Sequence, residues 1–127
     1  MKKLTVILSF ILFSGIAVLA QQGDYIIGAW YSVDQKSIIT FIKEQPGGEY
    51  SGKLTWIKVK EKEGLLGKTM VRNLEFSEKE NLYSGEIFLP KYDTYRECEM
   101  MVKGDKLIIR PKSAFTSKTI EWTRKKD

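Results

Sequence analysis

The chain has 127 residues, 43% of them hydrophobic, and 21 Lys and Arg against 16 Asp and Glu give it a net charge of +5; it has one cysteine and no histidine. That length suits one domain around one core, and the mild basicity falls short of the dense Lys/Arg stripe of a nucleic-acid binder, so no nucleic-acid partner is expected. Without histidine, Ser-His-Asp and Cys-His catalysis are excluded, and the commonest transition-metal ligand is missing.

Met1-Lys2-Lys3 precedes an apolar run from Leu4 to Ala20 that ends Ala17-Val18-Leu19-Ala20 before Gln21. A basic start, an apolar centre, and Val18 and Ala20 at −3 and −1 are what signal peptidase reads. The run is short for a bilayer core of roughly 30 Å, and Thr5, Ser9, Ser14 and Gly15 dilute it. Residues 1–20 are therefore expected to be a signal peptide and 21–127 a single exported domain with no transmembrane segment. No cysteine stands at the cleavage site, so a lipoprotein anchor is not expected. Loss of Lys2 and Lys3 leaves +3. The lone Cys98 has no internal partner, so a hydrophobic core must hold the domain together.

Beyond the leader, alternation dominates over helical periodicity. The segment Tyr25 to Ser32 reads as a first strand, and Ser37 to Lys43 is dense in β-branched residues. Gln45-Pro46-Gly47-Gly48 is a turn. From Glu49 to Val59, Tyr50, Leu54 and Trp56 share one face and Ser51, Lys53 and Thr55 the other, with Gly52 on the apolar side where a strand can bend. Lys60 to Gly67 is the longest break, ending in a turn or short helical cap. Strands are then expected over Lys68 to Phe76 and Leu82 to Leu89, the second ended by Pro90, and over Thr94 to Lys103, with Cys98, Met100 and Val102 on one face. After a tight turn at Lys103-Gly104-Asp105, Lys106 to Lys112 and Lys118 to Arg124 complete the set. About eight short strands joined by turns close as a sandwich or a barrel. With no spare chain to cover edges, the expectation is an all-β, small antiparallel up-and-down barrel.

The chain ends favour a particular barrel. Gly28-x-Trp30 lies on the first strand and Arg124 on the last, and in a closed meander these strands are neighbours. A guanidinium stacked on the indole contributes about 0.5–2 kcal/mol, so Trp30 and Arg124 are the expected closing pair. The pairing resembles that of lipocalin-like, or calycin, barrels.

A longer resemblance runs through Ile26-Ile27-Gly28-Ala29-Trp30, Gly52-Lys53-Leu54-Thr55-Trp56-Ile57-Lys58 and Leu65-Leu66-Gly67. It continues through Ser84-Gly85-Glu86-Ile87-Phe88-x-Pro90, Leu107-x-Ile109-Arg110 and Trp122-Thr123-Arg124. In this order and spacing the chain resembles the bacterial DUF2147 family of small exported proteins. The resemblance implies a lipocalin-like barrel, an undefined activity and a periplasmic or extracellular location. The chain departs from the family at Lys60 to Glu63, at Leu89-Pro90-Lys91-Tyr92-Asp93 and at Pro111 to Ala114, which puts any loop-borne family site in doubt.

Little chemistry is visible. Cys98 reads as a buried, inert thiol. Glu97 and Glu99 share the solvent face of their strand, and Asp24 and Asp34 read as turn caps. No phosphate loop or calcium loop is present, and no catalytic residue, metal or cofactor is expected. The candidate ligand-binding residues are those assigned to the barrel interior: Trp30, Phe41, Tyr50, Leu54, Trp56, Met70, Tyr83, Ile87, Met100 and Trp122. Such residues either line an apolar pocket or simply fill the barrel. The functional expectation is an exported, noncatalytic, monomeric barrel that binds a small apolar ligand or an envelope component. The alternative is a protein-interaction module or enzyme inhibitor acting through residues 60–67 and 91–93.

Overall fold

Eight antiparallel strands close on themselves in sequence order in the computed structural model, which describes residues 23–45, 48–112 and 118–126. They are β1 (Gly28–Tyr31), β2 (Ser37–Lys43), β3 (Tyr50–Ile57), β4 (Thr69–Ser77), β5 (Leu82–Leu89), β6 (Thr94–Lys103), β7 (Lys106–Pro111) and β8 (Ile120–Arg124). The barrel is the all-β, up-and-down one that the alternation predicts. The signal peptide expected over 1–20 and the Pro46-Gly47 turn lie outside the described residues, as do Ser113 and Ala114. Among the described residues no helix is long and apolar enough to cross a membrane.

Because the order is strictly sequential, the connections alternate between two ends. One end is stopped by residues 23–27, where helical Gly23 and Asp24 run into a turn at Tyr25 and Ile26 (Ile27 N–H to the Asp24 carbonyl, 3.0 Å) instead of extending β1 as expected. This plug buries Ile26 completely. The opposite end carries the connections 32–36, 58–68 and 90–93 and the described residues 112 and 118–119 between β7 and β8, including a 3-10 turn at Lys60–Leu65 where a turn or cap was expected.

Two bulges break the simple alternation. Ile38 pairs with Trp56 but Ile39 with Leu54, so Thr55 is an extra residue on β3. Its hydroxyl shares a 2.8 Å hydrogen bond with Thr40 on the outer face. The extra residue turns Trp56 outward, where it is 42% exposed, so its assignment to the interior is corrected. On β4, Arg72 pairs with Glu86 and Glu75 with Ser84, leaving one residue too many at Asn73, which sits at φ 54°. Asn tolerates that left-handed conformation better than most side chains. As a result Val71 and Leu74, three apart, both point into the core, and Met70 is only half-buried. That corrects Met70 as a core position; it packs at the edge of the cluster. Gly85, opposite the bulge on β5, accommodates it: a Cβ there would lie 2.8 Å from Leu74 Cα and 2.9 Å from the Arg72 carbonyl oxygen.

Candidate functional site

The interior residues assemble largely as expected. Trp30, Phe41, Tyr50, Leu54, Tyr83, Ile87, Met100 and Trp122 are all buried in one cluster with Val71, Leu74, Leu107 and Ile109. Aromatic contacts tie strands across an intervening neighbour, Phe41 on β2 to Trp122 on β8 at 6.3 Å and Tyr50 on β3 edge-on to Tyr83 on β5 at 5.8 Å between ring centroids. Trp30, Phe41, Val71, Leu74, Leu107 and Ile109 retain no accessible surface, so no void that could admit even a water lies against them. Among the described residues no buried side-chain nitrogen or oxygen lacks a hydrogen-bond partner.

The plugged end holds the densest polar network. Gly28 at φ +122° turns the chain from plug to strand, a conformation that suits glycine. Across the closing seam Trp30 pairs with Arg124, whose guanidinium lies 4.2 Å from the Trp30 ring centroid. The Trp30 indole N–H donates to the Ile26 carbonyl at 2.9 Å, and Arg124 donates to the carbonyls of Tyr25 and Ile27. The expected closing pair thus also holds the plug. The Tyr83 hydroxyl donates to the Gly23 carbonyl, and Tyr50 donates to Asp24 Oδ1 at 2.6 Å, beside Lys43 Nζ at 3.0 Å. Burial pushes both phenols above their ordinary pKa, with the Asp24 charge adding to it, so they remain donors.

Burial alone would raise the Asp24 carboxyl, but the Tyr50 hydrogen bond and the bond and charge of Lys43 outweigh it and hold it below the ordinary carboxylate value. A group whose folded pKa is depressed stabilises fully above its unfolded pKa, about 3.9 for Asp, and loses that contribution as pH falls through the folded value. The Asp24 side chain is 32% exposed. Asp24→Asn is therefore expected to cost about 1 kcal/mol at pH 7, the low end for bonds to a charged group. The gap from the parent should shrink below pH 4 in urea melts; a gap constant from pH 7 to 3 would count against the ionic origin.

Cys98 is buried, and burial, with Glu86 and Glu99 adding to it, pushes its thiol up to about 12. That shift favours the protonated thiol at neutral pH. Glu97 faces solvent, and Glu99 pairs with Lys112 at 3.6 Å. Among the described residues no three His, Cys, Asp or Glu side chains gather where a metal could sit.

Two outer-face features escape a strand-by-strand reading of the sequence, because each draws on several strands. Leu82, Glu99, Met101, Lys103, Ile108 and Arg110 line a groove of about 220 Å³ on β5, β6 and β7. Its floor is the cross-strand pair Met101–Ile108, next to Glu99–Arg110. Farther along, Phe88 and Tyr95 meet edge-on at 5.3 Å. Lys68 Nζ lies 4.2 Å over Phe88, and the Arg72 guanidinium lies 3.6 Å over Tyr95. The cations and Tyr95 cover Phe88, which faces outward yet is only 7% exposed.

These features define a class: a small, closed up-and-down β-barrel with an aromatic-rich core, closed by a first-strand Gly-x-Trp and a last-strand Arg. The chain belongs to DUF2147, a family described as an uncharacterized protein conserved in bacteria, whose profile matches residues 28–124 and so spans β1 to the closing Arg124. Comparison with curated proteins and with solved structures gives no significant match.

Proposed function

We propose that the protein is an exported, noncatalytic binding module that engages an envelope component through its outer surface. One observation carries the reading: Trp30, Phe41, Val71, Leu74, Leu107 and Ile109 keep no accessible surface at the heart of the barrel, and among the described residues no buried side-chain polar atom lacks a partner that a ligand would supply. The basic start and apolar run of residues 1–20 support export, and the protonated Cys98 thiol supports a role without covalent catalysis.

The test pairs a fluorescent fatty-acid displacement assay with retention of the tagged protein on envelope fractions. No stoichiometric fatty-acid uptake, with saturable retention on envelopes, is expected. Uptake of one fatty acid per chain would place the ligand in the lumen and overturn the surface reading. The outer groove favours a second reading, a short peptide segment laid across Met101 and Ile108; Met101→Lys would then abolish retention.

A further inference from the structure

The connections at the two ends of the barrel carry opposite charge. At the unplugged end, connections 32–36, 58–68 and 90–93 with Lys112 and Lys118 hold eight lysines against Asp34, Glu61, Glu63 and Asp93, a net +4 among the described residues. At the plugged end, the plug, the loops after β2, β4 and β6 and the residues after β8 hold Lys79, Lys125 and Lys126 against Asp24, Glu44, Glu49, Glu78, Glu80 and Asp105, a net −3 among the described residues. The cationic end also bears exposed apolar side chains on separate elements: Val33 (54%), Trp56 (42%), Leu66 (45%) and Tyr92 (37%). Lys36, Lys58, Lys60, Lys62 and Lys91 stand exposed between them.

From this arrangement we propose that the unplugged end docks onto an anionic lipid surface, with Val33, Trp56 and Leu66 entering the headgroup region and the lysines around them meeting lipid phosphates. The inference rests on the surface-binding reading above and names its partner. Charge complementarity selects an anionic partner, and the net −3 at the other end turns that end away from the same surface. Composition selects lipid over an acidic protein. Protein interfaces deplete lysine from their buried centre. Single aromatic and aliphatic tips set among lysines suit a bilayer interface, where Trp and Tyr sit at headgroup level and lysine stems reach outward to charge. Polybasic surfaces gain affinity for anionic leaflets with each added cation and lose it as salt screens them.

Trp56 supplies the readout, since Trp30 and Trp122 are already buried. The chain isolated from the export fraction is mixed with vesicles of pure phosphatidylcholine or of phosphatidylcholine with phosphatidylglycerol. Co-sedimentation and a blue shift of tryptophan emission are expected with the anionic vesicles only, both reduced by added salt. The triple variant Lys58→Glu, Lys60→Glu, Lys62→Glu should bind at least tenfold more weakly. Lys79→Glu, Lys106→Glu, Lys126→Glu, with the same change in net charge at the plugged end, should bind within about twofold of the parent. Equal binding to both vesicle types, equal loss in both triple variants, or sedimentation without a blue shift would overturn the proposal. Retention on envelopes that disappears after protease treatment, without vesicle binding, would overturn it and leave surface binding standing. Neither retention nor vesicle binding would overturn both.

Discussion

Trp30→Ala is expected to destabilise the barrel by about 3–5 kcal/mol, the range for removing a fully buried Trp. Three losses coincide at this side chain: its packing in the centre of the core, its indole hydrogen bond to the Ile26 carbonyl, and the ring face under Arg124. For a domain of this size the shift in Tm should be at least about 12 °C. Arg124→Lys keeps the charge but not the planar fork that lies on the indole and reaches two plug carbonyls, so a smaller loss of about 1–2 kcal/mol is expected. In a double-mutant cycle the two positions should couple, because the same contact joins barrel closure to the plug. Additive effects, or a Trp30→Ala loss below about 1 kcal/mol, would show that closure does not depend on this pair.

Gly85→Ala should cost about 1–3 kcal/mol although it adds a single methyl group, and Gly85→Val should cost more. The obstruction is backbone: Leu74 Cα and the Arg72 carbonyl oxygen belong to the β4 bulge and cannot rotate aside as a side chain would. Gly64, in the 3-10 turn, is the control, since a Cβ added there would meet no atom within 4 Å. Gly64→Ala should change stability by no more than about 0.5 kcal/mol. Urea unfolding of the two variants separates the explanations. If both are equally mild, the β4 bulge yields easily, and the close approach at Gly85 has little energetic weight.

The residues where sequence reading and structure part company share one cause. Period-two alternation assigns faces correctly as long as strands pair one residue to one. Phe41, Tyr83, Ile87, Met100 and Trp122 obey it and lie in the core. At Thr55 and Asn73 an extra residue resets the phase, which expels Trp56, sets Met70 at the edge and admits both Val71 and Leu74. Neither bulge carries a decisive local signal. Each is defined by its partner strand, and nothing beside Asn73 in the sequence announces its left-handed conformation. The plug escaped for a related reason. Tyr25-Ile26-Ile27 has strand-like composition, but Tyr83 and Arg124, distant in sequence, bond the carbonyls of Gly23 and Tyr25, and Trp30 that of Ile26, and these bonds hold the plug off the strand.

The amino-acid sequence by itself determined the number and approximate limits of the strands, the closure of first strand on last through Gly28, Trp30 and Arg124, and the placing of the lone cysteine on an inward face. These depend on local alternation, on turn residues and on which chemical groups are present at all. Only the tertiary structure decided that Val71 and Leu74 join the aromatics in one core cluster and that Trp56 stands outside. It alone brought Met101 to Ile108 and Lys68 to Phe88, because packing and register arise between strands. The charge separation belongs to both. Every lysine and carboxylate is written in the chain, but their opposition becomes a property of two ends only when a strictly sequential barrel sends alternate connections in opposite directions.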